Sequence, residues 1–88
     1  FDYIFREIWE SLDDNSKTIL ISLTQAGESG FTIEHLMAVS ELDEPLVYNS
    51  VTGLVLSSLV DITGSLFERR YKLHRLTEIF LLRLIEEE

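Results

Sequence analysis

A histidine followed by an arginine, His74 and Arg75, is the pair of residues in this chain best suited to chemistry on a phosphate. An imidazole near neutral pH can donate a hydrogen bond to an anion, and a guanidinium binds phosphate oxygens directly. The histidine can equally be a structural residue that is hydrogen-bonded at the end of a strand. Both interpretations stay open at this point. The other histidine, His35, lies far in sequence from other potential ligands and is expected on the surface.

Four of the seven Lys and Arg residues fall within seven positions, at Arg69, Arg70, Lys72 and Arg75. Such a cluster can contact phosphates, either of DNA or of a nucleotide. It is also typical of a solvated strand face that balances an otherwise acidic domain, and we expect this second role. Contact of Arg69, Arg70 and Lys72 with DNA phosphates is the alternative hypothesis.

The residue types do not support catalysis. The chain has no Cys, no Ser/His/Asp or metal-ligand spacing, and no Gly-rich phosphate loop. Sixteen Asp and Glu against seven Lys and Arg give a net charge of -9, which repels nucleic acid and anionic membranes. No apolar run reaches the ~18 to 20 residues that span a bilayer. We therefore expect a cytoplasmic protein that is not an enzyme, binds no metal or cofactor of its own and contacts no membrane.

Apolar periodicity predicts four helices in the first two thirds of the chain. The first covers positions 1–12, and the second runs from about Ser16 to Ala26, before Gly27. A short third helix follows Thr32, which is a suitable N-cap. The fourth is predicted at about Glu44 to Leu59, where Pro45 suits the first turn because its missing N–H is not required there.

A β-hairpin, the wing, is predicted after the fourth helix. A turn contains Gly64, and beyond it Tyr71 and Leu73 alternate with Arg70 and Lys72, as in a strand with one buried face. The predicted fold class is therefore mainly α with a small β-hairpin: a winged helix-turn-helix with extra N- and C-terminal helices.

The fourth helix contains no Lys or Arg, which is unusual for a helix that enters the major groove. One arc is predicted to be buried: Val47, Tyr48, Val51, Leu54, Val55 and Leu59. The opposite face is small and nearly uncharged, and we expect it to contact protein: Leu46, Asn49, Ser50, Gly53 and Ser57. Asp43 and Glu44 at the helix start favour the helix dipole but repel phosphates. DNA is therefore not expected as a partner, although Asn49 or Ser50 could contact base edges in the alternative.

The last segment is predicted to be a helix that is apolar nearly all round, and such a helix packs against partners on more than one side. Leu81, Leu82 and Ile85 are predicted to contact a neighbouring domain, another protein or a second copy of the chain. The helix ends in three Glu residues without a Gly or Asn cap. We therefore expect residues 1–88 to be one domain of a longer, multidomain protein.

The closing stretch "LVDITGSLFERRYKLHRLTEIFLLRL" resembles the end of the winged-helix domain of STAND-type regulatory ATPases, the NB-ARC-like group. In that domain an "xLxxxSLV" helix end is followed by a hairpin, a Tyr-x-Leu-His strand and a helix. The matching residues are Leu56, Ser58, Leu59, Val60, Tyr71, Leu73, His74, Leu76 and Phe80. The resemblance covers about Ser16 to Leu84.

The resemblance implies a regulatory role in signalling, in which this domain docks on an ATPase core that binds ATP or ADP. The histidine at the end of the hairpin then contacts the ADP phosphate, a role that falls on His74 with Arg75 beside it. Arg75 departs from the pattern, since many relatives have an acidic residue or proline there. In this interpretation the partners are the neighbouring domains of the same chain.

Overall fold

The computed structural model describes residues 2–87 of the chain. In this part of the chain five α-helices, one 3-10 turn and one hairpin follow each other. They are α1 (Asp2–Ser11), α2 (Asp14–Leu23), the 3-10 turn (Gly27–Ser29), α3 (Ile33–Ser40), α4 (Glu44–Leu56), β1 (Val60–Gly64), β2 (Arg69–Leu73) and α5 (Arg75–Glu87). This is the predicted winged helix-turn-helix with an extra helix at each end. The first residue of the predicted first helix lies outside the described residues.

Side-chain caps fix the starts of α2 and α3. The Asp13 carboxylate accepts a hydrogen bond from the Ser16 N–H at 2.8 Å. This backbone hydrogen bond, together with the Ser16 side chain, lowers the pKa of Asp13 below its ordinary value. The predicted cap Thr32 is confirmed, because its hydroxyl accepts from the His35 N–H at 3.1 Å. The His35 ring accepts from the Thr32 N–H in return at 3.5 Å, so this histidine is a capping residue on the surface.

Helix α4 ends three residues earlier than predicted, at Leu56. Ser58 adopts a left-handed conformation with φ of 63°, and the Leu59 N–H donates to the Leu54 carbonyl at 3.0 Å. This is the geometry of a Schellman C-cap, which stops a helix and satisfies its last carbonyls. Leu59 is buried as predicted, but it reaches the core from the turn that leads into β1.

The wing is an antiparallel pair in which Val60 lies opposite Leu73 and Ile62 opposite Tyr71. Tyr71 and Leu73 are buried, as their alternation with the cations predicted. A further bridge joins Tyr71 to Phe31, with both N–H···O distances at 2.8 Å. The hairpin is thereby attached to the segment between α2 and α3.

The core lies between α2, α3, α4, the inner face of the wing and α5. Its buried apolar residues include Ile19, Leu20, Leu36, Val47, Val51, Leu54, Tyr71 and Leu81. Helices α1 and α5 pack against each other through the stacked rings of Phe5 and Phe80, 5.5 Å apart. An exposed ion pair joins Arg6 to Glu87 at 3.0 Å. Within residues 2–87, each helix is too short or too polar to cross a bilayer.

Two glycines with opposite environments give a test of this packing. We expect Gly30→Ala to lower the free energy of unfolding by about 1–3 kcal/mol, because Gly30 has φ of +75° and a Cβ would lie 2.7 Å from the Tyr71 carbonyl oxygen. We expect Gly53→Ala to raise it by about 0.5–1 kcal/mol, because Gly53 lies inside α4 with open space around an added Cβ. Urea denaturation measures both changes, and a Gly30→Ala variant as stable as the wild type would contradict the bridge.

Candidate nucleic-acid interface

The outer face of α4 is a continuous solvent-exposed surface. Leu46 is 42% exposed, and Asn49, Gly53 and Ser57 are exposed beside it, whereas Ser50 is half-buried at the edge. Four of the five residues predicted for this face are therefore solvent-exposed. The prediction that Tyr48 is buried is wrong, since it is 54% exposed. Tyr48 is turned by about 100° from the buried Val47, and it lies at the margin of the core arc.

The wing brings one of the predicted cations next to α4. Along β2, Arg69 shares a face with Tyr71 and Leu73, while Arg70 and Lys72 lie on the other face. Arg69 is exposed and borders a shallow cavity of about 110 Å³. The cavity is lined by Tyr48, Thr52, Val55, Leu56, Ile62, Arg69 and Tyr71. Arg69 therefore lines the same cavity as the exposed α4 residues Tyr48 and Leu56.

The two other predicted phosphate contacts lie close to carboxylates of the fold. The Arg70 guanidinium forms an ion pair with Glu68 and donates to the Gly30 carbonyl at 3.4 Å. Lys72 lies opposite Asp61 in the hairpin. It borders a second cavity with three carboxylates and one further cation, lined by Gly27, Glu28, Asp61, Lys72, Leu73, Arg75 and Glu78. Arg69 is therefore the cation of the three that is best placed for an anion at α4.

Carboxylates stand at the start of α4. Asp43 precedes the helix and Glu44 begins it, and both are exposed. The Asp43 side chain makes no capping hydrogen bond, so its contribution to the helix is electrostatic. A phosphate approaching this helix end meets two negative charges within a Debye length.

The tip of the wing carries two large apolar side chains that the sequence analysis did not single out. Leu66 is 97% exposed and Phe67 is 100% exposed. The signal was available, because a Leu-Phe pair between Gly64 and the cations is atypical of a tight polar turn.

His74 is held in a structural role at the start of α5. Its Nδ1 accepts a hydrogen bond from the Leu76 N–H at 3.2 Å, and its carbonyl accepts from the Glu78 N–H at 2.9 Å. These are the contacts of a helix N-cap. Arg75 is exposed next to it and borders the cavity of Lys72.

Of the three α5 residues predicted to contact a partner, two are exposed. Leu82 and Ile85 are 48% and 45% exposed. Leu81 is completely buried in the core, because it lies on the same side of the helix as Thr77 and Phe80. Leu81 is therefore not a surface residue. In the described part of the chain, no group of three or more His, Asp or Glu residues could hold a metal ion.

No protein-family model matches the sequence, and no curated protein matches it. Solved structures do match its fold. TubR bound to 24 bp of tubC, from Bacillus thuringiensis serovar israelensis pBtoxis, has a TM-score of 0.76 and 19% identity, over 94% of each chain. A MarR family regulator from Neisseria meningitidis has a TM-score of 0.71 and 19% identity, over 99% of this chain and 61% of its own. MepR, a transcription regulator of the Staphylococcus aureus multidrug efflux pump MepA, has a TM-score of 0.68 and 17% identity, over 99% of this chain and 78% of its own.

These likenesses overturn the interpretation as a regulatory domain of a STAND-type ATPase, since the matching structures are named as a protein bound to DNA, a MarR family regulator and a transcription regulator. The physical reason for the error is that most residues that carried the resemblance are packing residues. Leu59, Val60, Tyr71, Leu73 and Phe80 are buried in the core. The docking and signalling role implied by that resemblance is withdrawn with it, and the expected ATP or ADP loses its support.

The expectation that DNA is not a partner is also wrong. TubR has the same fold over nearly its whole length and is bound to DNA in the matching structure. The error came from treating the acidic net charge and the cation-free α4 as decisive, although the fold brings Arg69 to the side of that helix.

The capping role of His74 gives a test that does not depend on any ligand. We expect His74→Ala to lower the free energy of unfolding by about 0.5–1 kcal/mol, because the Leu76 N–H loses its partner. His74→Asn should restore most of the loss, since Asn is a favoured N-cap. Thermal and urea denaturation of the three proteins measure this. Equal stability of the Ala and Asn variants would contradict the cap.

Proposed function

We propose that this chain is a DNA-binding winged-helix protein of the transcription-regulator type. The observation that carries the proposal is the likeness to the DNA-bound TubR structure, which extends over 94% of both chains and includes the helices and the wing. In this proposal α4 enters the major groove and the wing follows the adjacent backbone and minor groove.

The geometry of the surface supports this assignment. Tyr48 and Thr52 of α4 line the cavity that Arg69 borders. The residues that directly follow them in the helix, Asn49 and Gly53, are exposed. An amide at Asn49 can contact base edges, and the neighbouring guanidinium can bind a phosphate. Ser50 is half-buried at the edge of the face and is less accessible to bases than Asn49.

The electrostatics indicate modest, weakly salt-dependent affinity. Few cations face the same side as α4, and Asp43 and Glu44 oppose phosphates at its start. Each phosphate contact contributes a slope of about -0.9 to the dependence of log K on log salt concentration, so few contacts give a shallow slope. Sequence discrimination must then depend mainly on base contacts and DNA shape.

We expect Arg69→Gln to weaken binding to duplex DNA and to reduce the salt slope by about 0.9 per bound chain, because one phosphate contact is lost. Fluorescence anisotropy titrations of labelled duplex over a range of salt concentrations measure the slope. Arg6→Gln is the matched control, since it removes the same charge from α1 and breaks only an exposed ion pair with Glu87. An unchanged slope in Arg69→Gln would remove Arg69 from the interface, and absence of binding by the wild type at low salt would refute the proposed function.

We expect the double variant Asp43→Asn/Glu44→Gln to bind duplex DNA about three- to tenfold more tightly at low salt, because two like charges near the phosphates are removed. The gain should shrink at high salt. Glu7→Gln/Glu10→Gln removes the same charge from exposed positions of α1 and serves as the control. Equal gains in both double variants would show that net charge, rather than the α4 end, governs the affinity.

A further inference from the structure

The tip of the wing is a well-defined turn. The Ser65 hydroxyl accepts hydrogen bonds from the Phe67 N–H at 3.2 Å and from the Glu68 N–H at 3.0 Å. The Ser65 N–H donates to the Glu68 carbonyl at 3.1 Å, and Gly64 permits the chain reversal with φ of +88°. The turn therefore holds Leu66 and Phe67 in a fixed position at the end of the hairpin.

Both tip side chains project away from the fold. With 97% and 100% exposure, Leu66 and Phe67 contribute nothing to the core. Burial of such large apolar side chains is favourable, so full exposure of two neighbouring ones leaves a large apolar surface in contact with water. Adjacent apolar residues that are fully exposed indicate a contact site for a partner.

The charge around the tip indicates which class of partner this is. Glu68 is neutralised by its ion pair with Arg70, and the exposed Arg69 is the next residue along the chain. The hairpin carries three cations against two carboxylates, in a chain with a net charge of -9. The apolar tip is thus attached to a segment that carries one more cation than carboxylates, in a chain that is acidic overall.

We propose that Leu66 and Phe67 enter the minor groove of duplex DNA and insert between stacked base pairs, which bends the duplex. The inference rests on the proposed DNA-binding function and adds how the wing acts. Phe and Leu are side chains that proteins use as such wedges, and the wedge unstacks a base step so that the DNA bends toward the major groove. Arg69 then contacts a phosphate next to the inserted Leu66 and Phe67 side chains.

This mode of binding follows from the shortage of cations near α4. Apolar insertion adds affinity that does not depend on counterion release, so it persists at salt concentrations that weaken phosphate contacts. It also discriminates between sequences, because TA and CA/TG steps unstack easily whereas A-tracts are stiff. The wing tip would therefore prefer a duplex with a flexible step at the contact point.

The test uses two short duplexes that differ only at the centre, one with TA steps and one with an A-tract, each labelled at its ends with a donor and an acceptor fluorophore. Anisotropy gives the affinity and energy transfer gives the bend. The variants are Leu66→Ser/Phe67→Ser, which removes the wedge, and Phe67→Trp, which keeps an aromatic ring. Ile21→Ser is the control, because Ile21 is a partly exposed apolar residue in a cavity that contains no hairpin residue.

We expect the wild type to bend the TA duplex and to bind it more tightly than the A-tract duplex. The double Ser variant should bind the TA duplex about tenfold more weakly, because it loses the stacking of bases on the aromatic ring. The loss is modest because the wild type also bears the cost of unstacking the base step. It should also lose the bend and the preference. Phe67→Trp and Ile21→Ser should retain both. Unchanged melting temperatures of the tip variants would show that these substitutions leave the fold intact, as expected for the fully exposed Leu66 and Phe67.

The outcomes separate the two proposals. If the wild type binds DNA and the double Ser variant binds and bends it equally well, the wedge is refuted while the DNA-binding function stands. If the wild type binds neither duplex at low salt, both are refuted. Vesicles of phosphatidylcholine and phosphatidylglycerol provide a further arm, because vesicle binding that depends on the tip without tip-dependent DNA binding would assign the apolar pair to a lipid surface and overturn the inference.

Discussion

The bridge between Phe31 and Tyr71 is the interaction on which the proposed interface depends. A two-stranded hairpin is marginally stable in water, and this wing is fixed by two backbone hydrogen bonds of 2.8 Å to the segment that precedes α3. Gly30 allows the close approach, because a larger residue would meet the Tyr71 carbonyl. The anchored strand then places Arg69 beside α4, and the tip extends beyond it.

The shape of this protein and its charge act in opposite directions. The winged-helix fold presents a helix and a hairpin to a duplex, whereas the net charge of -9 and the carboxylates at the start of α4 repel one. Such a balance weakens non-specific binding at physiological salt, because that binding depends on phosphate contacts. Binding is then restricted to DNA sites at which base contacts by α4 and insertion by the wing outweigh the repulsion between the carboxylates and the phosphates.

Local patterns in the sequence predicted local structure correctly. Thr32 was identified as a cap because capping depends on residues three positions apart, and the burial of Tyr71 followed from strand alternation. The exposure of Tyr48 and the position of Arg69 at the same cavity depend on how α4 packs against the wing, which no local pattern encodes. The resemblance to a regulatory ATPase failed because core residues are shared among winged helices of different function. His74 lay within that pattern as a helix cap.

We propose that α4 and the wing tip together bind DNA. Titration of duplex DNA into the ¹⁵N-labelled protein, followed by NMR, tests it most directly. We expect amide shifts to concentrate at Tyr48, Asn49 and Thr52 and at residues 65–69, while α1 and the outer face of α5 are unaffected. Shifts confined to α1 and α5, or no shifts at low salt, would contradict it.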